Sequence, residues 1–152
     1  MLEGRTVFVD ATGTVAGRLS SHVAKRLLAG SKVVVLNAEK ALITGKKDMI
    51  MGEFRKYARI QSKINPRRHG PFKARTPDRI LKHMIDGMLP KKKARSRETS
   101  RRLRVYVGQP TRFDEVESQR PPEILYRRSP YGYLTLEEIA RQLGWRRAEE
   151  YG

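Results

Sequence analysis

The sequence predicts an α/β fold: a small parallel sheet flanked by helices, with basic extensions and a C-terminal helical tail. Three observations lead there. A strand, an amphipathic helix and a second strand follow one another in residues 5–36, and parallel strands need such a crossover. The second strand is apolar almost throughout, as a strand covered on both faces must be. Two further helical stripes and another short strand follow before residue 112.

Taken in order, residues 5–10 are a β-rich run and form the first strand. Thr12, Gly13 and Thr14 make a turn. Val15, Leu19, Val23 and Leu27 then recur at helical spacing, beside Ala16, Ala24 and Leu28, and Gly30 ends that helix. Residues 32–36 are the second strand. Residues 45–60 read as a helix with Ile50, Phe54, Tyr57 and Ala58 on one face. Residues 65–77 form a loop rich in Pro, Gly and basic groups, which Asn65, Pro66, Gly70 and Pro71 are expected to lay out as an extended arm. Thr76, Pro77 and Asp78 open another helix as N-cap, first-turn proline and early acid. Its expected buried stripe is Ile80, Leu81, Met84, Ile85 and Met88, and Pro90 stops it. Residues 91–102 suit a very basic helix, and residues 103–107 a strand closed by Gly108.

The character changes after residue 112. Residues 1–112 read as an α/β core and residues 113–152 as a C-terminal extension, with Pro121, Pro122 and Pro130 in a linker. Thr135 and Glu138 are spaced as a capping box for a short helix over residues 135–144. Leu136, Ile139, Ala140 and Leu143 are its apolar stripe. The extension is slightly acidic, so it is expected to add little to phosphate binding. The stripe is expected to meet a neighbouring protein, with docking on the chain's own core as the alternative.

The net charge of +17 is concentrated. Residues 55–75 hold Arg55, Lys56, Arg59, Lys63, Arg67, Arg68, Lys73 and Arg75 and no acid. Residues 91–104 hold Lys91, Lys92, Lys93, Arg95, Arg97, Arg101, Arg102 and Arg104 against Glu98. A single charge run is usually a solvated face. Two acid-poor runs on an otherwise balanced chain need an external polyanion. Tyr57, His69 and Phe72 are interleaved with the first run, and unpaired bases stack on flat side chains. These basic residues, with Lys46, Lys47 and His69, are therefore the candidate RNA-binding residues. An acidic membrane is a poorer match, because no basic amphipathic helix carries an aromatic face.

Other chemistry is weaker. With no cysteine, disulfides and thiolate metal sites are excluded. His22, His69 and His83 share no motif, and no metal site, cofactor or catalytic constellation is expected. Gly13 and Gly17 sit between strand and helix like part of a dinucleotide-binding loop, with Glu39 placed as a ribose-binding acid would be. Ala11 occupies the first glycine position, so the better reading is a structural turn with close helix–sheet packing. Residues 44–47 only partly match a P-loop. Residues 136–144 resemble the first helix of a helix-turn-helix, yet too little chain follows for a recognition helix. A nucleotide-dependent enzyme and a DNA-binding regulator are the two rival readings. No run suits a membrane span, and the first residues lack a signal-peptide pattern, so a cytoplasmic protein is expected.

Several blocks carry a family resemblance. Residues 9–25 (VDATGTVAGRLSSHVAK), 34–40 (VVLNAEK), 43–46 (ITGK), 87–91 (GMLPK) and 102–108 (RLRVYVG) resemble, in order, the universal ribosomal protein L13 family of the large subunit. The extension after residue 112 is similar to the archaeal and eukaryotic branch. The resemblance implies a Rossmann-like α/β domain, binding to large-subunit ribosomal RNA and a structural role in assembling the particle. It implies a place in the cytoplasm, in the ribosome, beside neighbouring ribosomal proteins. It implies no catalysis, small-molecule substrate or membrane.

Overall fold

The computed structural model describes residues 5–91, 94–128 and 130–147. Its elements run β1 (Thr6–Asp10), α1 (Ala16–Leu28), β2 (Lys32–Leu36), β3 (Leu42–Thr44), α2 (Lys47–Arg59), α3 (Pro66–His69), α4 (Pro77–Gly87), α5 (Ala94–Arg101), β4 (Leu103–Val105), β5 (Tyr133–Thr135) and α6 (Leu136–Gln142). The expected parallel sheet has the order β1-β2-β4, with Val9 opposite Val35 and Val35 opposite Val105. A separate antiparallel pair joins β3 to β5.

Four consecutive residues of β2, Val33 to Leu36, are buried, which explains the unbroken apolar run. On α1, Leu19, Val23 and Leu27 are four residues apart and fully buried. Ser20 turns inward with them and donates its hydroxyl to the Ala16 carbonyl at 2.7 Å, so its burial leaves no polar atom unsatisfied. Gly30 follows the helix at φ 94°, a left-handed conformation that glycine adopts without strain.

Helix α4 is the hub, packing on α1, β4 and α6. Ile80, Leu81 and Ile85 are buried, while Met88, expected in the stripe, is 46% exposed. The helix ends before it, and Leu89 takes the buried place at 4%. Thr76 occupies the N-cap without capping: its buried hydroxyl makes no hydrogen bond, and Pro77 at the first turn sets the start. Contrary to expectation, the loop over residues 65–77 is not extended at its start. It makes one helical turn, α3, because Pro66 suits the first helical position, and the Gly70 amide closes it by donating to the Pro66 carbonyl at 3.2 Å. A Cβ on Gly70 would lie 2.5 Å from that carbonyl oxygen, so this turn requires glycine. Strand β4 stops at Val105, because the chain then turns to meet the bend after β2, where the Ala38 amide donates to the Tyr106 carbonyl.

The C-terminal region corrects one expectation. The apolar stripe of α6 faces the chain's own core: Leu136, Ile139 and Ala140 are fully buried, in one cluster with Val9, Leu19 and Leu81 for the first two. Ile124 and Leu134 join the same cluster. Burying each such side chain contributes about 1.5–3 kcal/mol, so self-docking wins over leaving the stripe open for a partner. The linker is also woven in. Gln119 lies along β1, its amide donating to the Phe8 carbonyl and its carbonyl accepting from Asp10. The capping box of α6 is present, with the Glu138 amide donating to the Thr135 hydroxyl at 3.1 Å and the Thr135 amide to the Glu138 carboxylate at 2.9 Å.

Candidate nucleic-acid interface

Helix α4 buries one side and leaves Arg79 and His83 exposed on the other, with Lys82 half-buried. The two basic segments flank this outer side. From one direction come Tyr57 of α2 and Phe72 and Lys73 of the following loop, forming with Arg79, Lys82, His83 and Asp86 a cleft of about 220 Å³. From the other come Lys91 and α5, whose Ser96, Arg97, Ser100 and Arg101 border a cleft of about 430 Å³ that also reaches His83 and Asp86. Both clefts share those two residues, so segments distant in sequence make one groove along α4.

Short-range contacts fix the groove. The Lys73 ammonium sits 3.6 Å from the centre of the Tyr57 ring, a cation–π contact. The Tyr57 hydroxyl lies 3.3 Å from His83 Nε2. Ser100 donates to Asp86 at 2.8 Å, tying α5 to α4 and occupying one oxygen of the groove's acid. Phe72 is 77% exposed and presents a flat surface open to a planar partner. Arg79, Lys82 and His83 belong to this surface but were absent from the sequence-derived set. They lie outside both charge runs, and only the helical phase of Ile80, Leu81 and Ile85 could have shown which way they point.

The remaining candidates are more dispersed. Arg55, Lys56 and Arg59 are exposed along α2, with Arg55 donating to Gln142 of α6 at 2.9 Å. Lys63, Arg67, Arg68, His69 and Arg75 are exposed on the loop around α3. Arg102 is paired with Glu98 at 2.5 Å, which makes it a weaker candidate than the exposed Arg104 on β4. Lys46 and Lys47 are exposed at the start of α2, at the opposite end from Tyr57. Lys92, Lys93 and the Arg95 side chain lie outside the described residues.

The geometry opposes the nucleotide reading. After β1, the amides of Gly13, Thr14 and Val15 donate to the carbonyls of Lys40, Ala11 and Ile124, so these three loop amides are not turned to a pyrophosphate. Gly13 is required there by its φ of 69°. Gly17 is not held by close packing as expected: a Cβ on it would meet nothing within 4 Å. Glu39 is 1% exposed and accepts the Gly108 amide at 2.8 Å, a structural tie between the bends after β2 and β4. In the P-loop-like stretch, the Gly45 amide donates to the Gly132 carbonyl. Among the described residues, no helix follows α6, no group of three or more His, Asp or Glu could hold a metal ion, and no helix is long and apolar enough to cross a membrane.

Comparison with known proteins points to one family. The family described as Ribosomal protein L13 matches residues 4–112. The large ribosomal subunit protein uL13 of Aeropyrum pernix is 43% identical over 144 residues, covering 95% of this chain and 93% of its own length. Its counterpart in Methanocaldococcus jannaschii is 41% identical over 136 residues, covering 90% of this chain and 96% of its own. That of Archaeoglobus fulgidus is 43% identical over 141 residues, covering 91% and 87%. At these lengths the alignments run past residue 112, so most of the region after it is aligned with archaeal relatives too. The chain belongs to the ribosomal protein L13 family.

Proposed function

We propose that this protein is a structural constituent of the large ribosomal subunit, binding and stabilising ribosomal RNA during assembly and in the mature particle in the cytoplasm. Its part is to neutralise and position; it supplies no catalytic group. The observation that carries this reading is the convergence of two basic segments on one groove along α4, with exposed aromatic rings among the cations. Phosphate contacts from Lys73, Arg97 and Arg101 would hold RNA strands in register, while RNA shape supplies specificity. The Arg67–Arg68–His69 turn would extend the contact away from the core.

Within residues 113–152, the exposed Asp114, Glu115 and Glu117 would be repelled by phosphate and suit a basic neighbouring ribosomal protein instead. The test is competition binding of the purified chain to large-subunit ribosomal RNA, duplex DNA of equal length and a nucleoside triphosphate. Strong preference for the ribosomal RNA is expected. Equal binding to duplex DNA, or saturable binding of the nucleotide, would overturn the reading.

A further inference from the structure

Strand β5 carries the chain back to the start of α2. Tyr133 pairs with Thr44 across the β3–β5 ladder, and the Gly45 amide donates to the Gly132 carbonyl at 3.2 Å. These contacts bring the segment before β5 beside Lys46 and Lys47, although the two are far apart in sequence. That segment carries Tyr126, Arg127, Arg128 and Tyr131, and Tyr133 opens β5 itself. Its ends are anchored. The Tyr126 amide donates to the Gly13 carbonyl at 2.9 Å, and the Tyr126 and Tyr133 rings meet edge-on with centres 4.9 Å apart. Leu134 points into the core at 3% exposure, so strand alternation turns Tyr133 outward. Tyr131 is 64% exposed and Tyr133 42%, and Arg127, Arg128, Lys46 and Lys47 are all exposed. Asp48 is the nearest acid in sequence to the two lysines.

We infer that these tyrosines and arginines, together with Lys46 and Lys47, form a second RNA-contact surface that takes unpaired nucleotides. The inference rests on the RNA-binding reading above and gives the C-terminal region a role in it. Four cations outnumber the two acids beside them, Asp48 and Glu138, which line one cleft with Lys47. Glu138 already accepts the Thr135 amide in the α6 capping box, so the excess charge suits a phosphate backbone. Exposed rings set among them suit bases free to stack, whereas a duplex hides its base faces. The surface lies at the N-terminal end of α2 and the α4 groove near its C-terminal end. Ten residues of helix separate Lys47 from Tyr57, about 15 Å at 1.5 Å per residue. One molecule would then hold two RNA segments at a fixed spacing, one in the α4 groove and a single strand at the tyrosines.

The test uses the full chain with two probes, a short oligouridine strand and an RNA duplex of the same length. Tyr131→Ala should weaken oligouridine binding about tenfold, the scale of one lost base–aromatic stack, and leave duplex binding within about twofold. Tyr131→Phe keeps the ring and should bind oligouridine like the parent. Arg127→Ala with Arg128→Ala removes charge from an exposed stretch and should also weaken oligouridine binding. If these variants bind oligouridine normally while Lys73→Ala with Arg97→Ala and Arg101→Ala loses RNA affinity, the second surface is wrong and the groove reading stands. If both sets bind both probes like the parent, the functional reading itself fails. If the loop variants bind RNA normally but no longer join large subunits, the surface meets protein, which overturns the inference.

Discussion

Arg120 grips Asp10 across 110 positions of sequence, with Nη2 2.6 Å and Nε 2.8 Å from the same carboxylate oxygen. The other oxygen accepts from the Thr12 amide, the Thr12 hydroxyl and Asn37. Asp10 ends β1 and is almost fully buried, so this cluster ties the C-terminal region to the end of the central sheet. Burial pushes the carboxyl up, but the hydrogen bonds from Thr12 and Asn37 and the charge of Arg120 outweigh it and hold Asp10 below the ordinary carboxylate range.

Asp10→Ala should therefore destabilise the fold by roughly 2–4 kcal/mol, because several donors lose a charged acceptor at once. Arg120→Ala should cost about 1 kcal/mol or less, since the arginine side chain is half-exposed. Urea unfolding of both variants checks the order; a larger loss for Arg120→Ala would contradict it.

The same carboxylate gives a pH dependence. Its folded pKa lies below its unfolded one, so its contribution is fully present above the unfolded value, about 3.9. That contribution is lost as pH falls through the lower folded value. The stability of the parent should fall more steeply below about pH 4 than that of Asp10→Asn. Parallel profiles would show that Asp10 is not the linked group.

Truncation after Arg112 should abolish cooperative folding. It removes Ile124, Leu134, Leu136 and Ile139 from the core and β5 from its pairing with β3. Leu136→Ala alone should cost roughly 2–5 kcal/mol. A truncated chain that melts like the parent would show that residues 113–152 are an appendage after all.

Three glycines separate the reasons for having one. Gly17→Ala should be neutral or stabilise by up to about 1 kcal/mol, since it lies in helix α1 with open space around it. Gly13→Ala should cost about 1–2 kcal/mol for its left-handed backbone. Gly70→Ala should displace the α3 turn, weakening RNA binding more than the melting temperature. Thermal melts and RNA titrations of the three variants would expose any other order.

Much of the fold was legible where local pattern and tertiary role coincide. The apolar run of β2, the four-residue spacing on α1 and the Thr135–Glu138 capping box each state their own structure. The destination of the α6 stripe was not legible, because Leu136 and Ile139 look alike whether they face a neighbour or their own core. The boundary after residue 112 followed composition, which is blind to backbone pairing such as Gln119 with β1. The basic segments were visible as charge runs. The groove that joins them was not, because it depends on how α4 orients Arg79, Lys82 and His83 between them.

The measurement that tests the central claim most directly is the salt dependence of affinity for large-subunit ribosomal RNA, compared between the parent and a Lys73→Ala, Arg97→Ala, Arg101→Ala variant. Each phosphate contact to single-stranded RNA contributes about 0.7 to the slope of log affinity against log salt. The parent should show a slope of about −5 or steeper, and the folded variant a slope shallower by about 2. Identical slopes and affinities for the two proteins would show that the α4 groove does not hold RNA.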